Sequence, residues 1–212
     1  YFYAKDYYSS STANSESIIS KSNIGKYFYV DSAYANSDFE DTISTLAHEF
    51  QHMVNFNQKE IRFDEADIEM DDPDTSYKEM LSMLCEDMMQ NFLGLSDEDS
   101  PKNRIQQFNG YYFYSGIREY RDDNYAVLSY ATSYALGAWL CRQYGGAALV
   151  KAIMTNDYVN NESLVAAVNA VNNTSYTFDD LFKQFLLAIH GNSTYTLNRA
   201  AEIGRASCRV RV

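Results

Sequence analysis

Leu46-Ala47-His48-Glu49-Phe50-Gln51-His52-Met53-Val54-Asn55-Phe56 is the stretch on which the reading of this chain turns. Ile43, Leu46, Phe50 and Val54 recur at helical spacing, and Ser37 followed by Glu40 has the form of a capping box. The pattern predicts an amphipathic helix from Ser37 to about Asn57. Residues four apart on a helix stack on one face, about 6 Å apart along the axis. His48 and His52 therefore aim two imidazoles at one point beside the apolar stripe, a spacing that suits a tetrahedral zinc ion. Glu49 follows the first imidazole and lies beside that point rather than at it. A carboxylate there can take a proton from a water held by the metal, whose pKa zinc lowers to about 7. The chain has 3 His in all, and this block contains two of them.

A third ligand has to come from another helix. Leu81, Leu84, Met88 and Phe92 align along one side of a helix predicted from Tyr77 to Phe92, which Gly94 closes. Glu79, Ser82 and Glu86, spaced i, i+3, i+7, share the opposite face. We take Glu79 as the third ligand and Glu86 as the reserve, with Ser82 or Glu86 bonding the outer N–H of a ligating imidazole. Ser76-x-x-Glu79 also spells a capping box, in which Glu79 only satisfies a helix terminus. His190 ends an apolar helical run just before Gly191, where a cation complements the helix dipole. Tyr130 and Tyr134, four apart on a later helix, read as core aromatics. The catalytic alternative is that one of them donates its hydroxyl to a developing oxyanion.

Working outward, residues 1–8 and 26–31 are aromatic and β-branched, separated by a Ser/Asn-rich stretch from Ser9 to Ser22, and Lys26-Tyr27-Phe28-Tyr29-Val30 reads as a strand. Residues 60–74 carry Glu60, Asp64, Glu65, Asp67, Glu69, Asp71, Asp72 and Asp74. They read as a solvated loop, with a Ca2+ site as the alternative, although the EF-hand pattern is missing. Residues 95–123 read mostly as loop and include Tyr111-Tyr112-Phe113-Tyr114. Helices are expected over Tyr125 to Tyr144, Ala147 to Met154, Glu162 to Val171 and, capped by Thr177, Phe178 to His190. The expected fold class is α+β. Residues 1–57 form a small β-containing lobe ending in the H-E-x-x-H helix, and residues 58–201 form a mainly helical lobe that supplies Glu79. Residues 202–212 break character with Arg205, Arg209 and Arg211, and resemble the translation of a sequencing-library adapter. They read as a non-native tail, or else as a genuine basic one.

Apolar residues make up 46% of the 212, enough for a real core. A net charge of −12 and a pI near 4.6 argue against nucleic acid as a partner, since phosphate recognition relies on basic surface. No apolar run is long enough to span a membrane. The opening Tyr1-Phe2-Tyr3 shows no leader and reads as the inside of a longer protein. The 19 Tyr and many Asn and Ser fit an exported protein. Cys85, Cys141 and Cys208 lack metal-site spacing. They read as buried thiols, with a Cys85–Cys141 disulfide as the alternative.

The block from Leu46 to Phe56, together with Glu79-Met80-Leu81-Ser82-Met83-Leu84-Cys85-Glu86-Asp87, resembles the hyicolysin-type zinc metallopeptidases. These belong to the broader thermolysin-like group that holds zinc with two His and one Glu. Ser129 to Leu140, with Tyr144-Gly145-Gly146, is similar to that family's helical lobe, and the resemblance spans roughly residues 24–190. It implies a zincin-like fold, zinc on His48, His52 and Glu79, and a bacterial secreted or cell-surface endopeptidase acting on peptide or protein substrates. The rival reading is a catalytically silent, zinc-stabilised surface binding module on a peptidase scaffold.

Overall fold

Two aspartates start the helical part of the chain. Asp31 accepts from the N–H groups of Ala33 and Tyr34 and caps α1 (Ser32–Ser37). Asp38 accepts from Asp41 N–H and caps α2 (Phe39–Phe56). Ser37, expected to cap α2, is instead the last residue of α1. The computed structural model describes residues 1–7, 25–69, 71–112, 116–117, 120–121 and 123–190. The expected tail at 202–212, Cys208, Phe113 and Tyr114 lie outside them.

The expected α+β, zincin-like architecture is overturned: the protein is nearly all helical, with no strand among the described residues. The predicted strand at Lys26–Val30 does meet the aromatic N-terminal segment, but only once. Phe2 and Phe28 form an isolated antiparallel bridge, flanked by Tyr1 N donating to Tyr29 O (2.6 Å) and Tyr29 N to Tyr1 O (2.9 Å). The pairing stops because Ala4–Tyr7 coil into a 3-10 turn. A backbone that satisfies its donors locally offers no edge for a ladder to continue. The aromatic residues that suggested strands pack as rings instead, Phe2 against Tyr7 and Phe56 (centroids 5.8 and 5.9 Å) and Phe28 against Phe50 (6.4 Å).

Past Phe56 the chain stays helical through a π-helical turn (Asn57–Ile61) into α3 (Arg62–Glu65), so the expected acidic loop begins only after Glu65. The π turn carries Lys59 into the interior, where the side chain is fully buried. Its Nζ donates to Asn156 O (2.8 Å), Asn156 Oδ1 (3.0 Å) and Tyr158 O (2.8 Å). Three ammonium donors thus meet three oxygens just past α7 (Ala147–Thr155), where helix carbonyls lack partners and the dipole favours a cation.

α4 (Thr75–Leu93) ends at Gly94, whose φ of 74° suits glycine. No side-chain capping bond forms at its N-terminus, so the capping box at Ser76 and Glu79 is not made. The expected loop at 95–123 contains α5 (Arg104–Tyr111). Then follow α6 (Ala126–Tyr144), α7, α8 (Asn160–Asn172) and α9 (Phe178–Ile189), the last started by a reciprocal Thr177–Asp180 capping box.

α6 is the centre of the core, buried continuously from Ala131 to Arg142. Leu136, Trp139 and Leu140 join Met80, Leu81 and Leu84 of α4, Phe108 of α5, Ile153 of α7, Val168 of α8 and Phe185 of α9 in one cluster. Each such side chain contributes about 1.5–3 kcal/mol by leaving water. Gly137 sets the α4–α6 approach, since a Cβ there would lie 2.5 Å from Met80 Cγ. Cys85 and Cys141 are free thiols, which rules out the disulfide. No helix among the described residues is long and apolar enough to cross a membrane.

Candidate metal centre

α2 lies along α4, and the face it turns inward is not the one its apolar stripe suggested. Leu46 and Phe50 are 40% and 53% exposed, while Ser44, Gln51 and Asn55 are buried. The helix was legible from its periodicity, but its buried residues are mixed, with Met53 and Phe56 beside Ser44, Gln51 and Asn55. His48 and His52 stand one turn apart with ring centroids 4.8 Å apart. From α4, Glu79 reaches across to meet them.

The three ligand atoms converge. His48 Nε2 is 3.1 Å from His52 Nε2 and 3.0 Å from Glu79 Oε2, and His52 Nε2 is 3.5 Å from the same oxygen. Around a tetrahedral ion with bonds of about 2.0–2.1 Å, ligand atoms stand roughly 3.3 Å apart, so this triangle fits one face of such a tetrahedron. Two imidazoles and a carboxylate also match the donor set of catalytic zinc. Among the described residues this is the one group of His, Cys, Asp or Glu that brings three ligand atoms within 4.8 Å. The acidic residues Glu69, Asp71, Asp72 and Asp74 line an open cleft instead, and the calcium alternative gains no ligand cluster from them.

Glu86, the reserve ligand, stands behind His48. Its Oε1 is 2.6 Å from His48 Nδ1, and its Oε2 accepts from Ser44 Oγ at 3.0 Å. Ser82, the other expected partner, is fully buried, and its hydroxyl makes no hydrogen bond among the described residues. Burial opposes a positive charge on His48, but hydrogen bonds to Glu79 and Glu86 outweigh it and raise the pKa to about 9. Burial likewise opposes charge on Glu79, yet its bonds from His48 and His52 bring it down to about 2.

Glu49 accepts the Phe2 N–H at Oε2 (2.9 Å) and forms part of the wall of a cavity of about 400 Å3. The two tyrosines part company. Tyr134 is fully buried, and its hydroxyl donates to Asp87 Oδ2 (2.9 Å), which also accepts from Arg142 Nη2 (2.9 Å). Its phenol is thus committed to the core. Tyr130 is half-buried and packs edge-on to Tyr120 (5.5 Å), with the Arg104 guanidinium 5.1 Å from its ring centre. Burial raises the Tyr130 pKa, a hydrogen bond with Tyr120 opposes this, and the charges of Glu79 and Glu49 add to the rise. Burial and a hydrogen bond with Tyr130 raise Tyr120 in turn. His190 is an exposed C-cap of α9.

Sequence reasoning missed Ser44, Tyr120 and the Phe2 N–H. Only Ser44 had a usable signal, a polar residue one turn before His48. The chain matches no protein-family model, and no curated protein matches it.

Proposed function

We propose that this chain is the catalytic part of a zinc-dependent endopeptidase, with zinc held by His48 Nε2, His52 Nε2 and Glu79 Oε2 and with Glu49 as general base. One observation carries this reading: the triangle of ligand atoms with edges of 3.0–3.5 Å, one residue away from a carboxylate on the same helix. When bound, zinc supplies Lewis acidity toward a water and toward the scissile carbonyl. Glu49 Oε2 is held by the Phe2 N–H, which leaves Oε1 to take the proton of the attacking water and deliver it to the leaving amine. Glu86 accepts the His48 Nδ1 proton, fixing the tautomer whose Nε2 lone pair faces the metal. Tyr130 donates its hydroxyl to the oxyanion that develops on the carbonyl. The resemblance to hyicolysin-type peptidases points the same way, and the reading extends to an exported or cell-surface enzyme acting on peptides or proteins.

Elemental analysis alongside cleavage of a casein-type substrate tests the proposal on wild type and Glu49→Gln. Equimolar zinc in both proteins, with cleavage by the wild type alone, is expected. A zinc-loaded wild type that cleaves nothing would be a silent binding module, and a chain that binds no zinc would sink both readings.

A further inference from the structure

The candidate base is also the wall of a cavity whose chemistry selects what comes next to it. Its volume of about 400 Å3 lies within the ~300–1,000 Å3 range of ligand pockets. Tyr1, Tyr29, Val30, Tyr34 and Leu46 line it beside Asp31 and Glu49; the Tyr1 amino group is spent on Tyr29 O (2.6 Å), and no Lys, Arg or His lines it among the described residues. Val30, Tyr34 and Leu46 are 52%, 48% and 40% exposed, so a large apolar surface stands open directly beside the base. Asp31 uses Oδ1 to cap α1, which keeps its carboxylate fixed at the cavity wall.

An acidic side chain entering this space meets the charges of Asp31 and Glu49. A purely apolar one takes water from Asp31 without giving it a partner. An Arg or Lys does neither, because its methylene stem covers Val30 and Leu46 while its cationic end meets Asp31 and the tyrosine rings. The net charge of −12 adds a long-range attraction for cationic peptides. Resting on the peptidase reading above, we propose that this cavity binds an Arg or Lys side chain next to the scissile bond, and that cationic peptides are the substrate class.

Three peptides identical except for Arg, Leu or Glu beside the cleaved bond test this on the zinc-loaded protein. The Arg peptide should exceed the Leu peptide in kcat/KM by about tenfold and the Glu peptide by more, the size of a charge-assisted contact, with the advantage shrinking as salt is raised. Thr45→Lys puts a cation into the cavity from an exposed helix position one turn before Glu49; it should reverse the Arg-over-Glu order, and the Leu peptide reads any change at the base itself. Cleavage of the Leu peptide as fast as the Arg peptide, or an order unmoved by Thr45→Lys, overturns the cavity assignment. Titration of the same peptides into metal-free protein separates the two ideas. Selective binding of the Arg peptide without hydrolysis by the zinc form defeats the peptidase reading alone, and hydrolysis without Arg preference defeats only the cavity.

Discussion

Glu86 holds His48 from behind: its Oε1 lies 2.6 Å from Nδ1, while the Nε2 of the same ring meets Glu79 Oε2 at 3.0 Å. The two glutamates sit on one face of α4, two turns apart, and address opposite nitrogens of one imidazole. Their sequence contexts are alike, but their positions on the ring assign them different work.

That difference sets an order of metal affinities. Glu79→Ala removes a ligand and should weaken zinc binding more than Glu86→Ala, for which a loss of about 10–100-fold is expected. Ser44→Ala, acting through Glu86, should cost less again, and Ser44→Thr should restore it. Competition against a chromophoric chelator reads all four variants. An order with Glu86 first would make Glu86 the ligand.

Glu49→Gln separates binding from turnover. The amide keeps its shape but cannot accept the water's proton, so zinc content should stay while kcat falls by about 10²–10⁴, the usual contribution of a general base. Substantial turnover in this variant would move the base elsewhere.

Phenylalanine at the two tyrosines should have opposite consequences. Tyr134→Phe takes a donor from buried Asp87 and should cost about 1–3 kcal/mol of stability with kcat unchanged. Tyr130→Phe should leave stability near wild type and lower kcat by about 10²–10³, as loss of an oxyanion donor does. If Tyr130→Phe cleaves at the wild-type rate, Tyr120 is the next phenol to change.

Lys59 couples stability to alkaline pH. Burial, reinforced by the neighbouring Arg62 charge, lowers its pKa from 10.5 to about 8. The unfolded chain therefore holds this proton more tightly than the folded one between those values. Wild-type stability should rise relative to Lys59→Met as pH increases from about 8 to about 10. The variant itself should be destabilised at neutral pH, since three oxygens lose their donor. Urea unfolding of metal-free protein at both pH values measures the gap. A gap that stays constant would mean that folding leaves the Lys59 pKa where it is in the unfolded chain.

What the sequence determined by itself is what helix geometry makes local. The i, i+4 step from His48 to His52, the adjacent Glu49, the shared face of Glu79 and Glu86, the helix end at Gly94 and the helix start at Thr177 all depend on residues within a turn or two of one another. Tertiary structure decided the rest. The aromatic segments around Phe2 and Phe28 have the side chains of strands, but a ladder needs an extended partner, and the turn at Ala4–Tyr7 removes it. Tyr130 and Tyr134 sit one turn apart on α6, so periodicity could not separate them. The packing of α4 on α6 commits Tyr134 to Asp87 and leaves Tyr130 half-buried against Tyr120. Lys59 directly precedes the acidic stretch of residues 60–74 that read as a solvated loop. Its burial depends on carbonyls supplied by Asn156 and Tyr158, and no local pattern around Lys59 announces partners so distant in the chain.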